Sequence, residues 1–189
     1  MSHALEFLIW FCASLLLGSF LEWCIHRYFM HTTRILPVAV ERHGIKHHAE
    51  RRAPGKFLAK ADELKEYHLF ETSAMPLVWL AHFPLFGLVY LAFGPWASTG
   101  MAAGMAAYML AYEMLHWYIH CPDRFWFRNT AWFRFLSEHH RRHHHKARIN
   151  YNVVCPLADL VLGTFSLEPV VPEPEQLPPS ARASSAGVR

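Results

Sequence analysis

The chain of 189 residues has the length of a single domain, is 53% hydrophobic, and carries a formal net charge of only +3. It has no glycine-rich phosphate loop, G-x-S-x-G elbow, flavin or nicotinamide fingerprint, or internal repeat. Nucleotide-cradling and serine-nucleophile chemistry by those motifs are therefore excluded, and any electrons the protein uses must come from elsewhere.

The first apolar segment covers residues 4–25. Met1 to Glu6 has no positive n-region, and the segment runs straight into Glu22 and His26, so it reads as a retained helix, not a cleaved signal. Residues 34–67 follow as a basic stretch, with turns at Leu36-Pro37 and Ala53-Pro54-Gly55 and a helix expected from Lys56 to Phe70. Residues 74–93 form a second apolar segment. Residues 94–100 are a connection, and residues 101–115, extended by Trp117, Tyr118 and Ile119, form a third segment. A bilayer core takes about 20 apolar residues of helix, so the pattern predicts an all-α, integral membrane bundle of about three to four membrane helices. Aromatic residues from Phe125 to Phe135 interleave with Arg124, Arg128 and Arg134. Beside a span this mixture reads as an interfacial amphipathic helix, with no nucleic acid as partner. The chain divides into a membrane domain over residues 1–166 and a tail over residues 167–189, rich in Pro, Ser, Ala and Glu, that is expected to be disordered.

Sidedness follows from lysine and arginine. None precedes Arg27, and none lies between Lys65 and Arg124, so three spans place every basic residue on one side, the cytoplasmic one. Cys12, Cys24, Cys121 and Cys155 show no framework spacing and read as free thiols.

Ten of the 15 histidines form four clusters: His26 and His31; His43, His47 and His48; His116 and His120; His140, His143 and His144. All fall on the same predicted side as the basic residues. Helical residues four apart differ by about 40° around the axis, so His43 with His47, and His116 with His120, project from one face. His26 and His31 are five apart and need a helix end or a kink to converge. Ten imidazoles are too many for one first-row ion and suit two, with positions left for oxygen or water. His139 competes with His140 as a ligand, because HHRRHH satisfies both spacings, and His145 is a spare. His3 and His68 read as surface residues, and His82 as a packing histidine inside an apolar segment.

The ordered runs HRYFMH, HGIKHH, HWYIH and HRRHH, followed by INYNVVCPLADLVLGTF, resemble the fatty acid hydroxylase superfamily, which includes fatty acid 2-hydroxylases, sterol desaturases and carotenoid hydroxylases. The resemblance runs from about Leu21 to Phe165, with Asn152 where glycine is usual and Ala158 where tryptophan is usual. It implies a membrane-bound di-iron oxygenase that hydroxylates an unactivated lipid C–H bond with dioxygen and two electrons. The expected cofactors are two iron ions, with zinc as a possible substitute. The expected partners are a lipid substrate, dioxygen and an external electron donor of the ferredoxin or cytochrome b5 kind. On this reading the ten clustered histidines are the metal ligands, and Asp159, Glu22 and Glu113 are acceptors for ligand imidazole N–H groups. A lipid desaturase, a carotenoid hydroxylase or a non-catalytic membrane metal-binding protein are the alternatives. Transport by such a protein would need ligands at the midplane of the spans.

Overall fold

A computed structural model describes residues 2–32, 36–53, 55–59 and 75–169. The regular structure among the described residues is all helical, with no strand among them. Helix α1 (His3–Cys24) starts where the Ser2 side chain accepts the Leu5 N–H, and it continues without a break into a π-helical segment, Ile25–Thr32. Helix α2 (Pro37–Ala39) leads through a second π-helical segment, Val40–His47, into α3 (His48–Arg52). The rest comprises α4 (Met75–Ala81), α5 (Phe83–Phe93), α6 (Pro95–His120), α7 (Ala131–His145) and the short α8 (Leu157–Val161).

Three expectations are corrected. The second apolar segment is broken at His82 into α4 and α5, with Pro84 in the first turn of α5, where its missing N–H costs nothing. The connection expected over residues 94–100 shrinks to one residue. Gly94, at φ +93°, turns the chain in a conformation other residues avoid, and α6 begins at Pro95. Lys56 to Ala59 are not helical, and the remainder of the helix expected there, with His68, lies outside the described residues.

The helix α1 with its π extension, His3–Thr32, is long and apolar enough to cross a membrane; α5 is apolar but shorter. Leu8, Leu16, Leu88, Leu91 and Leu110 face outward uncovered, as lipid-facing side chains would. The central contact is between α1 and α6, which run parallel: Gly100 meets Phe7, Gly104 meets Phe11 and Ser14, and Gly18 meets the Tyr108 ring. A Cβ on Gly104 would sit 2.0 Å from Ser14 Oγ, so glycine sets this close approach. Parallel packing brings the C-terminal ends of α1 and α6 to the same end of the bundle. There Phe57, Leu115, Ile119, Phe133, Leu136 and Val153 form a core beneath α7.

Candidate metal centre

At that end the ten clustered histidines come together as two groups of five, but not along the lines of the sequence clusters. One group is His26, His31, His43, His48 and His143; the other is His47, His116, His120, His140 and His144. Within each, one ring nitrogen per residue lies within 4.8 Å of all the others. Nine of the ten residues are buried and His31 is half-buried. The π-helical segments explain the first group. Their i→i+5 hydrogen bonding carries residues five apart onto one face, so His26 and His31 converge with no kink, and His43 pairs with His48 instead of His47. Gly44 permits the two π segments to meet, since a Cβ there would sit 2.4 Å from the Met30 carbonyl oxygen.

The donor geometry fits metal ions. Nε2 atoms approach at 2.8 Å for His26 and His43, 3.1 Å for His31 and His143, and 3.0 Å for His140 and His144. Two imidazoles at right angles on one ion, with bonds of about 2.1 Å, hold their nitrogens about 3 Å apart. The groups adjoin: the His48 and His144 rings, one from each, stack at 4.3 Å.

Backbone carbonyls fix several rings. His120 Nδ1 lies 2.8 Å from the Phe57 oxygen, His143 Nδ1 lies 2.8 Å from the Ile149 oxygen, and His26 Nδ1 meets the Tyr151 oxygen. A carbonyl only accepts, so each Nδ1 carries the proton and each Nε2 turns a lone pair toward the group. His120 Nε2 and both ring nitrogens of His48 are buried, with no hydrogen-bond partner among the described residues. A bound ion would satisfy such lone pairs. Burial, reinforced by neighbouring imidazoles, holds His43, His47, His140, His143 and His144 well below the ordinary value of 6.5, and lowers His48 to about 2. All six rings are neutral at pH 7, the form that ligates.

The structure separates His139 from His140. His140 faces the second group, whereas His139 turns away and places Nε2 3.1 Å from Asp159 Oδ2. Asp159 therefore meets a histidine outside both groups, and the expectation that it accepts from a ligand ring is corrected. It accepts the backbone N–H groups of Tyr151 (2.9 Å) and Asn152 (2.8 Å), and the Thr164 hydroxyl (2.6 Å). Burial alone would raise its carboxyl, but these donors hold it below the usual carboxylate range. Glu22 likewise meets no ligand imidazole in its hydrogen bonds: it accepts from the Tyr108 hydroxyl (2.5 Å), the Val153 N–H (2.5 Å) and Asn152 Nδ2 (3.2 Å). Both carboxylates thus grip residues 151–153, whose neighbouring carbonyls orient His26 and His143. Glu113 is buried and lines a cavity.

Sequence reasoning missed the residues that shape this loop. Asn150 adopts φ +54°, and its side chain bonds the His139 and Ser166 oxygens at 3.3 and 3.0 Å. Asn152 Nδ2 donates to the Ser19 carbonyl at 2.8 Å. An available signal was asparagine's tolerance of left-handed backbone, in the run INYN directly after a ligand cluster. His145 is exposed and belongs to neither group; His3, at the opposite end of α1, stacks on Trp96 at 5.2 Å.

A narrow cavity, open on one side, lies between α1, α4 and α6 and reaches His26 of the first group. Leu21, Ile25, Met30, Met105 and Met109 make it mainly apolar; His26, Glu22 and Glu113 also line it. His82, expected to be a packing histidine, lines it too, with Nδ1 2.7 Å from the Val78 oxygen.

A helical bundle that gathers two histidine groups at one end, with His26 of the first group lining an apolar cavity, is an arrangement that could hold metal ions. Residues 11–164 match the fatty acid hydroxylase family model, and the chain belongs to that family. Neither the comparison with curated proteins nor that with solved structures gave a match. The family and the apolar α1 together mark a membrane protein.

Proposed function

We propose that the protein is a membrane-bound di-iron oxygenase that hydroxylates an unactivated C–H bond of a lipid, in the balance RH + O₂ + 2e⁻ + 2H⁺ → ROH + H₂O. The observation that carries this reading is His26, which belongs to the first five-histidine group and also lines the apolar cavity. A chain lying in that cavity ends beside the metal centre.

His26, His31, His43, His48 and His143 would hold one iron, and His47, His116, His120, His140 and His144 the other. Bound iron supplies the activation of dioxygen and an oxidant strong enough for a bond that acid, base or nucleophile cannot attack. The chain supplies the rest. The carbonyls of Phe57, Ile149 and Tyr151 keep three imidazoles in the tautomer that ligates. Leu21, Ile25, Met105 and Met109 exclude water and hold the acyl or ring portion of the lipid by apolar contact. In this reading the bundle end with the histidines and the C-terminus faces the cytoplasm, in keeping with the distribution of lysine and arginine. A ferredoxin or a cytochrome b5-like protein delivers the electrons there.

The test is oxygen-dependent product formation by iron-loaded membranes supplied with an electron donor, guided by lipid profiling of a deletion strain against its parent. A hydroxylated lipid that disappears in the deletion strain supports the reading. An iron-loaded protein that consumes no oxygen with any lipid class makes it a metal-binding protein without this activity.

A further inference from the structure

One route of aromatic rings links the surface to the first histidine group. The Tyr151 ring, itself buried, packs against His26 at 5.7 Å, His31 at 6.2 Å and His143 at 5.5 Å. On its other side it meets Trp23 at 5.8 Å, and Trp23 meets Tyr28 at 5.8 Å. Tyr28 is 45% exposed, so the series runs from solvent to three candidate ligands through two buried rings. The Arg27 guanidinium lies over all three rings, at 4.8 Å from Trp23, 5.4 Å from Tyr28 and 5.9 Å from Tyr151. Arg148, exposed and three residues before Tyr151 in the chain, stands within electrostatic reach of the Tyr151 hydroxyl, as Arg27 does.

The Asp159 carboxylate, also in electrostatic reach of Tyr151, is buried and taken up by His139, Thr164 and the Tyr151 and Asn152 N–H groups. Elsewhere Lys46 pairs with Glu41, Arg128 with Asp123, Arg141 and Arg142 with Glu138, and Lys146 with Glu168. Among the described residues neither Arg27 nor Arg148 has an acidic partner. Tryptophan, tyrosine and arginine at the end of a span are ordinary interface anchors. An anchor, however, has no need to touch three imidazoles.

We propose that Arg27, Tyr28 and Arg148 form the docking face for an acidic one-electron carrier protein, and that Trp23 and Tyr151 carry its electron to the His26 group. The proposal rests on the iron reading above and adds the place of entry. In each encounter the carrier is oxidised by one electron and the metal centre is reduced by one. The rings conduct by contact and change neither charge nor proton content. Two encounters supply the two electrons of one turnover. Positive charge at the face steers an acidic carrier and speeds encounter, an effect that salt weakens.

The experiment follows anaerobic reduction of the iron-loaded, full-length protein in lipid nanodiscs, by a reduced acidic [2Fe–2S] ferredoxin or by dithionite. The double variant Arg27→Gln, Arg148→Glu is expected to be reduced by ferredoxin about tenfold more slowly than wild type and to lose most of the salt dependence. Dithionite should reduce both proteins alike, and metal content should stay at two ions. Tyr28→Leu and Arg148→Glu alone, which leave the buried rings in place, should each slow ferredoxin by about threefold. Arg134→Glu, on α7, should change nothing. An unchanged ferredoxin rate in the variants, an equal fall in Arg134→Glu, or a wild type that dithionite reduces and ferredoxin does not, overturns the docking face. A wild type that dithionite cannot reduce overturns the iron reading itself, and the docking face with it.

Discussion

The two histidine groups are built by different helical registers. The second takes two pairs four residues apart, His116 with His120 and His140 with His144, from the regular α-helices α6 and α7. The first takes two pairs five apart, His26 with His31 and His43 with His48, from the π-helical segment after α1 and from the second π-helical segment with its junction to α3. Each group is completed by one histidine from the other kind of helix, His47 in one case and His143 in the other. The difference teaches that ligand spacing and backbone hydrogen bonding are one choice. Five-residue spacing converges only where the chain accepts the rarer i→i+5 pattern.

The largest effect expected comes from removing one ligand on each side of this comparison. His143→Ala and His120→Ala should each reduce turnover by at least about 100-fold, and each should lower bound metal from two ions to one. His3→Ala should change neither by more than about twofold. Metal analysis and product formation on inserted protein check this. If a single variant empties both groups, the two are one cooperative site.

Chelation should then separate the registers. Metal-free protein is expected to exchange the backbone amides of residues 25–32 and 40–47 about tenfold faster, while residues 116–120 and 136–144 stay protected. Hydrogen–deuterium exchange measures it, and equal acceleration in all four stretches would remove the distinction.

Acidification acts on both groups. The unfolded chain binds protons on its histidines below about pH 6.5, whereas the buried rings of His43, His47, His48, His140, His143 and His144 do not. The stability these rings contribute is therefore complete above that pH and is lost as pH falls, by up to about 1.4 kcal/mol per pH unit for each histidine. The melting temperature of metal-free protein should drop steeply between pH 7.5 and 5.5, and a flat profile would contradict neutral burial.

Asp159→Ala should cost about 10- to 100-fold in activity or metal affinity, because it frees the loop whose carbonyls orient His26 and His143. The smallest effect is set for Gly44→Ala. Crowding the Met30 carbonyl should destabilise the fold by about 1–3 kcal/mol and loosen only the first group, read as weakened binding of one ion of two.

Much of the site was legible in the sequence because histidine clusters are dense, ordered and chemically narrow. The all-helical class followed from apolar segments of span length. The pairing of the histidines was not legible. On an α-helix His43 belongs with His47, and only a π register sends His43 to one group and His47 to the other. Nor could spacing decide between His139 and His140, since the answer depends on Asp159, 20 residues further along, claiming His139. The carbonyls of Phe57, Ile149 and Tyr151 carry no side-chain signature at all. The break at His82 was masked by continuous apolar composition on both sides of it.

The grip on residues 151–153 has a consequence for the order in which the protein matures. Val153 and Asn152 bond Glu22 on the first helix, 131 and 130 residues earlier, and the Tyr151 carbonyl meets His26. During synthesis Glu22 and His26 emerge early, yet the carbonyl that orients His26 belongs to a residue made 125 positions later. Iron offered to a ribosome-bound chain stalled before residue 149 should find the first group unformed. A chain released after Phe165 should load fully. On the two-ion reading, a chain cut short of residue 149 would hold metal in the second group alone, since His47, His116, His120, His140 and His144 all precede the cut.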